Sequence, residues 1–209
     1  MYEYFLPLTI KMASELWPLW VLLYLIGSIP FAIITSKIMN LPDPRTFGSK
    51  NPGATNVLRT GNKIAALITL IGDSLKGFIP VVIIMGIVEG EVSLITNIAT
   101  AYFSSFFILI GHMFSIFLKF NGGKGVATSF GILFALDLYI GLFILSIWLL
   151  VFLIFRVSAI SALAAFFLLP FFIAFFINDN FIIILSIINS LFIYLKHVSN
   201  LSQIKGFFN

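Results

Sequence analysis

Residues 126–155 read VATSFGILFALDLYIGLFILSIWLLVFLIF, and whether they form one helix or two decides the fold. As one straight helix they would run about 45 Å, well past a membrane hydrocarbon core of about 30 Å. Asp137 near the middle, followed by Gly141, predicts a hairpin of two shorter helices. The first of these is about a dozen residues long, short for a crossing, and is expected to lie tilted, interfacial or tucked against protein.

Outward from that stretch, further apolar runs cover 16–39, 64–88, 92–118, 157–177 and 181–195. With 60% hydrophobic residues, 10% charged and 25 Phe in 209, the composition excludes an ordinary soluble domain and indicates a multi-span membrane protein. Dividing 126–155 gives an all-α integral membrane protein of seven transmembrane helices, a single domain over 1–209 with 1–15 as a short extracytoplasmic segment. That segment carries Glu3, Lys11 and Glu15 and no small-residue cleavage site, so the first helix is expected to be its own insertion signal. The chain contains no cysteine, which removes disulfides, thiolate nucleophiles and thiolate metal sites.

Charge supports the division independently. The seven-helix connections alternate in sign: Arg45, Lys50, Arg59 and Lys63, then Glu89 and Glu91, then Lys119 and Lys124, then Asp137, Arg156 and Asp179 in turn, with Lys196 and Lys205 at the C-terminus. By the positive-inside rule the odd connections and the C-terminus are cytoplasmic and the N-terminus lies outside. A six-helix chain would put Arg156 or the C-terminal lysines on the wrong side.

The remaining polar residues then gather on the cytoplasmic face. The loop Gly48-Ser49-Lys50-Asn51-Pro52-Gly53-Ala54-Thr55-Asn56, followed by Arg59, is broken by Pro52 and Gly53, with nothing nearby expected to rebuild a helix. With it lie the turn Asn121-Gly122-Gly123-Lys124-Gly125 and the pair His197 and Asn200, three apart and so on one helical face. Glycine lets backbone N–H groups converge on an anion, and a following helix N-terminus adds its dipole. The Gly-x-x-x-x-Gly-Lys-Ser/Thr loop of nucleotide hydrolases is absent. His112, in Gly111-His112-Met113, is a structural residue or lines the site from below. Asp73 and Lys76, three apart inside the second helix, read as a paired structural brace.

Taken in order, Gly27-Ser28-Ile29-Pro30, the 48–59 loop, Gly111-His112 leading to Gly122-Gly123-Lys124-Gly125-Val126-Ala127-Thr128, and His197-x-x-Asn200 resemble the bacterial acyl-phosphate-dependent glycerol-3-phosphate acyltransferases over about 20–200. The resemblance implies a seven-helix enzyme of the bacterial inner membrane with a cytoplasmic active site. It would acylate the 1-position of sn-glycerol 3-phosphate from a long-chain acyl phosphate, giving lysophosphatidic acid and inorganic phosphate, the first step of phospholipid synthesis. By motif, the catalytic positions are Ser49, Arg59, Lys124, His197 and Asn200. Arg45, Asn51, Gly53, Thr55, Asn56, His112, Gly122, Gly123 and Gly125 are expected to bind substrate. No cofactor, metal, nucleic acid or obligate protein partner is implied. The chain departs from the family pattern with Lys50 for glycine, Ser115 for proline, Asn121 for a basic residue, Lys196 for arginine, and no acidic residue beyond the last motif.

The residue chemistry agrees. Two phosphate-bearing substrates bring roughly four negative charges. The first and third connections offer six cations against Asp43 alone. An acyl phosphate is already activated, so positioning and charge stabilisation can supply the catalysis without a covalent nucleophile. Either His197 or the substrate's own phosphate can take the proton of the attacking hydroxyl. The alternative is an anion or phosphate-ester transporter, but polar residues do not continue across the membrane. Acyltransferases that use acyl-CoA or acyl carrier protein carry His-x-x-x-x-Asp, which neither His112 nor His197 begins.

Overall fold

A computed structural model of the chain describes residues 17–90 and 92–198, and every regular element among them is helical. The helices are α1 (Trp17–Ser28), α2 (Phe31–Ile38), the one-turn α3 (Ala54–Val57), α4 (Lys63–Val88), α5 (Leu94–Met113), α6 (Val126–Leu136), α7 (Leu138–Phe155), α8 (Ser158–Phe176) and α9 (Asn180–His197). Short 3-10 turns at Leu58–Thr60 and Ile116–Leu118 follow α3 and α5. Among the described residues five helices are long and apolar enough to cross a membrane, namely α4, α5 with its extension to Leu118, α7, α8 and α9. The pair α1 and α2, bent by 41°, makes a sixth candidate span. The bend falls at Ile29-Pro30, where proline supplies no backbone N–H to continue the helix.

The 126–155 stretch does divide at Asp137. Its extended backbone ends α6, and its Oδ1 accepts the Tyr139 and Ile140 amides at 2.8 and 3.0 Å to start α7. With 11 residues, α6 is about 16 Å long, so it enters the bundle without matching a core of about 30 Å. It is held instead by protein. It packs most extensively on α4, where Gly77 and Gly131 let the two backbones touch. A Cβ on Gly131 would strike the Ser74 carbonyl, and one on Gly77 the Thr128 carbonyl. Gly131→Ala is therefore expected to destabilise the protein by about 1–3 kcal/mol, read as a lower thermal midpoint in detergent.

Around this pair, α5 is the most enclosed span, 67% buried, while α7 is 17% buried and presents Leu, Ile and Phe to lipid. Polar side chains tie the centre together: Ser129 of α6 donates to Asn189 of α9 at 3.1 Å, and Asn189 donates to the Tyr102 hydroxyl of α5 at 3.3 Å. Asp73 and Lys76 form the expected pair, 2.8 Å apart and buried. No helix is expected to re-form after Pro52 and Gly53, whereas Ala54–Val57 forms one turn. Gly61, at φ +83°, ends the segment, and the Asn62 side chain caps α4 by accepting the Ala65 amide at 2.9 Å. Glu91, Asn200, Lys205 and the 1–15 segment lie outside the described residues.

Candidate active site

The first polar loop is shaped by Asn56. Buried and fully committed, its Oδ1 accepts the Ser49 amide at 3.0 Å and its Nδ2 donates to the Pro44 and Phe47 carbonyls at 2.6 and 3.2 Å. Asn56 is thus a loop-forming residue, and it sets the position of Ser49. The Arg59 side chain lies over Gly48, whose missing Cβ would meet its Nη1 at 2.7 Å. Arg45 turns elsewhere, onto Asp43, with Nη2 2.6 Å from Oδ2. That hydrogen-bonded pairing holds the Asp43 carboxyl below its ordinary range and raises the Arg45 guanidinium. The exposed Thr55 hydroxyl sits 3.5 Å from Ser158 Oγ.

The glycine turn is fastened to the end of α5. Gly122 N–H donates to the Met113 carbonyl at 3.2 Å and Gly123 N–H to the His112 carbonyl at 3.0 Å. Gly53 N–H likewise goes to the Asn51 carbonyl at 3.0 Å. These amides were expected to cradle an anion, but in this structure they are spent on internal carbonyls. The turn glycines serve close approach instead: Gly122 lies against the His112 carbonyl and Gly123 against the His112 imidazole Nε2. Gly125, at φ +83°, packs near Met113 and opens α6.

At the end of α9, Lys196 Nζ donates to the Met113 carbonyl at 2.7 Å and lies 4.6 Å from the Phe114 ring centre. Buried His197 places Nδ1 2.8 Å from the Ile193 carbonyl. A carbonyl only accepts, so Nδ1 carries the proton of the neutral ring and Nε2 keeps its lone pair.

The three segments line an open cavity of about 320 Å³. It is lined by Ser49, Lys50, Asn51 and Pro52 from the first loop, Asn121, Gly122 and Lys124 from the turn, and Leu195 and Lys196 from α9. Among the described residues, three lysines and no carboxylate are in that lining. Burial, then repulsion from Lys196 and Arg59, pulls the Lys124 ammonium from 10.5 down to about 8. The folded chain therefore binds fewer protons than the unfolded one between about pH 8 and 10.5, and this group makes stability rise with pH across that window. An anion in the cavity would relieve the repulsion.

Of the sequence-derived positions, Ser49, Asn51, Gly122 and Lys124 meet in the lining. Arg45, Gly53, Thr55, Asn56, Arg59, His112, Gly123, Gly125 and His197 are outside it, and Asn200 falls among the residues not described. The lining also takes Lys50, one of the six loop cations expected to favour phosphate, and Pro52, Asn121, Leu195 and Lys196, which sequence reasoning did not select for the site. For Lys196 the signal was there, since it precedes His197 at the end of the last helix.

Beneath the turn, the His112 ring is buried with Nδ1 3.6 Å from Asp73 Oδ1, longer than a hydrogen bond. Asp73, Lys76, Ser28, Ser115 and Gly123 surround a separate void of about 10 Å³ beside it.

A family model for glycerol-3-phosphate acyltransferase matches residues 17–206. The glycerol-3-phosphate acyltransferase of Nitrosomonas eutropha is 46% identical over 187 residues, and that of Thiobacillus denitrificans 43% over 186. Each match covers 87% of this chain and 89% of the relative. The fold is similar to the crystal structure of PlsY (YgiH), an integral membrane glycerol 3-phosphate acyltransferase. Its glycerol 3-phosphate form aligns with a TM-score of 0.80 at 31% identity, and its lysophosphatidic acid form with 0.78 at 30%, each covering 90% of both chains.

Proposed function

The chain belongs to the glycerol-3-phosphate acyltransferase family and is a multi-pass membrane acyltransferase of phospholipid synthesis, and on that premise we propose how its site works. The donor is a long-chain acyl phosphate and the acceptor the 1-hydroxyl of sn-glycerol 3-phosphate. The site opens to the cytoplasm of a bacterial inner membrane, in a seven-span chain whose N-terminus is outside. Family membership sets aside the transporter alternative.

The observation that carries the proposal is the cavity of about 320 Å³ with Lys50, Lys124 and Lys196 in its lining and, among the described residues, no carboxylate. That volume lies within the range of small-molecule sites, about 300–1,000 Å³. Lys124 and Arg59 clamp phosphate oxygens, and Ser49 and Asn200 orient the attacking hydroxyl. Leu195, exposed beside Lys196, gives the acyl chain an apolar way in from the inner leaflet. In the transfer, the glycerol oxygen bonds to the acyl carbon, the bond from that carbon to the phosphate oxygen breaks, and phosphate leaves with the electron pair. The hydroxyl proton passes to a phosphate oxygen of the substrate, a base the substrate itself brings, with a second pKa of about 6. His197 is buried behind the lining, and its role is to hold the α9 end of the site in register.

Two outcomes follow. First, kcat/KM for glycerol 3-phosphate should fall above about pH 8 as Lys124 loses its charge, whereas kcat should hold to higher pH because bound phosphate favours the ammonium. A flat alkaline limb would remove Lys124 from phosphate binding. Second, the chain contains no cysteine, so Asn121→Cys places a single thiol at the cavity. A membrane-impermeant maleimide should label it in inside-out vesicles only, with glycerol 3-phosphate slowing the labelling. Labelling only from the opposite side, or no protection by the substrate, would contradict the proposed site.

A further inference from the structure

We infer that Asp73 and Lys76 are positioning residues for acyl transfer, acting through His112 on the turn that carries Lys124; this rests on the function proposed above. A buried ion pair is weak evidence of stabilisation, because desolvation offsets the attraction, so its placement needs another reason. The placement is specific. Lys76 Nζ reaches both Asp73 Oδ1, at 2.8 Å, and the Ile29 carbonyl, at 2.9 Å, where α1 breaks before α2.

Both flanks of Lys124 lead to residue 73, the downstream one by a hydrogen bond and the upstream one by packing through His112. Upstream, the His112 ring stands between Asp73 and the turn, its Nδ1 3.6 Å from Asp73 Oδ1 and its Nε2 against Gly123. The same residue's carbonyl takes the Gly123 amide at 3.0 Å. Downstream, the Thr128 hydroxyl donates to the Asp73 carbonyl at 2.9 Å. Next to His112, the Met113 carbonyl receives both Gly122 N–H, at 3.2 Å, and Lys196 Nζ, at 2.7 Å. Two ammonium groups of the cavity are thus set from the end of α5, whose last ring is packed between Asp73 and Gly123. The ring lies against Gly123 so closely that a Cβ there would strike its Nε2, and a shift of about 1 Å in a reacting site can cost about 100-fold in rate.

Removing one charge strands the other in the interior, so the discriminating variant is Asp73→Asn combined with Lys76→Met. In detergent it should keep a thermal midpoint near that of the unmodified protein. Its KM for glycerol 3-phosphate should rise about tenfold or more, with the KM for acyl phosphate little changed. His112→Gln, which keeps the α5 carbonyls but removes the ring, should give the same split and serves if the double variant does not accumulate. A folded variant with unchanged KM and kcat would make the pair a brace alone and overturn the inference. An unmodified protein that forms no lysophosphatidate would overturn the functional reading, and the inference with it.

Discussion

Replacing Lys124 with alanine is expected to lower kcat/KM for glycerol 3-phosphate by about 100- to 1,000-fold without lowering the thermal midpoint. Truncating one partner of a buried, hydrogen-bonded charge pair costs about 2–5 kcal/mol, and each 1.4 kcal/mol is about a factor of ten. Lys196 is committed to the Met113 carbonyl, and Arg59, over Gly48, already supplies its own part of the clamp, so neither takes over the position of Lys124. Stability should hold or improve, because alanine removes an ammonium that burial and two neighbouring charges already disfavour. A large activity loss with an intact midpoint separates a binding role from misfolding. Near-normal kcat/KM would remove Lys124 from the phosphate clamp.

The second large effect is expected from Gly122→Ala. A Cβ there would strike the His112 carbonyl and lie 3.0 Å from the Met113 carbonyl carbon, and backbone on a packed helix has little room to yield. The turn must lift, carrying Lys124 with it, so kcat/KM should fall by about 100-fold or more. The same overpacking should lower stability by about 1–3 kcal/mol. Gly86→Ala is the matched control. It lies inside α4, and a Cβ there would meet nothing within 4 Å beyond its own stretch of helix, so it should leave activity unchanged and stability equal or slightly higher. Equal effects of the two substitutions on kcat/KM would show that close approach at Gly122 is not what the site needs.

The hairpin at Asp137 was legible because its signal is local: a span too long for the membrane, with a capping carboxylate in its middle. The meeting of three distant segments was legible through charge, since alternation assigned them all to one face. What escaped the sequence depended on partners. Arg45 looked like a phosphate ligand among other cations, and nothing in the order of residues told that Asp43, two positions earlier, would occupy it. The amides of Gly122 and Gly123 looked free until α5 supplied the carbonyls they donate to. Lys196 stands out in sequence as a topology marker and as a departure from the family's arginine, but its role depends on α9 ending beside Met113. Asp73 and Lys76 were legible as a pair, but their link to Lys124 runs through His112, a relation across three helices that spacing within one helix cannot express.

The most direct measurement is product formation by purified protein in detergent from glycerol 3-phosphate, with acyl phosphate and acyl-CoA compared as donors. The account predicts lysophosphatidic acid from acyl phosphate, with equimolar release of inorganic phosphate, and none from acyl-CoA. Product from acyl-CoA alone, or from neither donor, would contradict it.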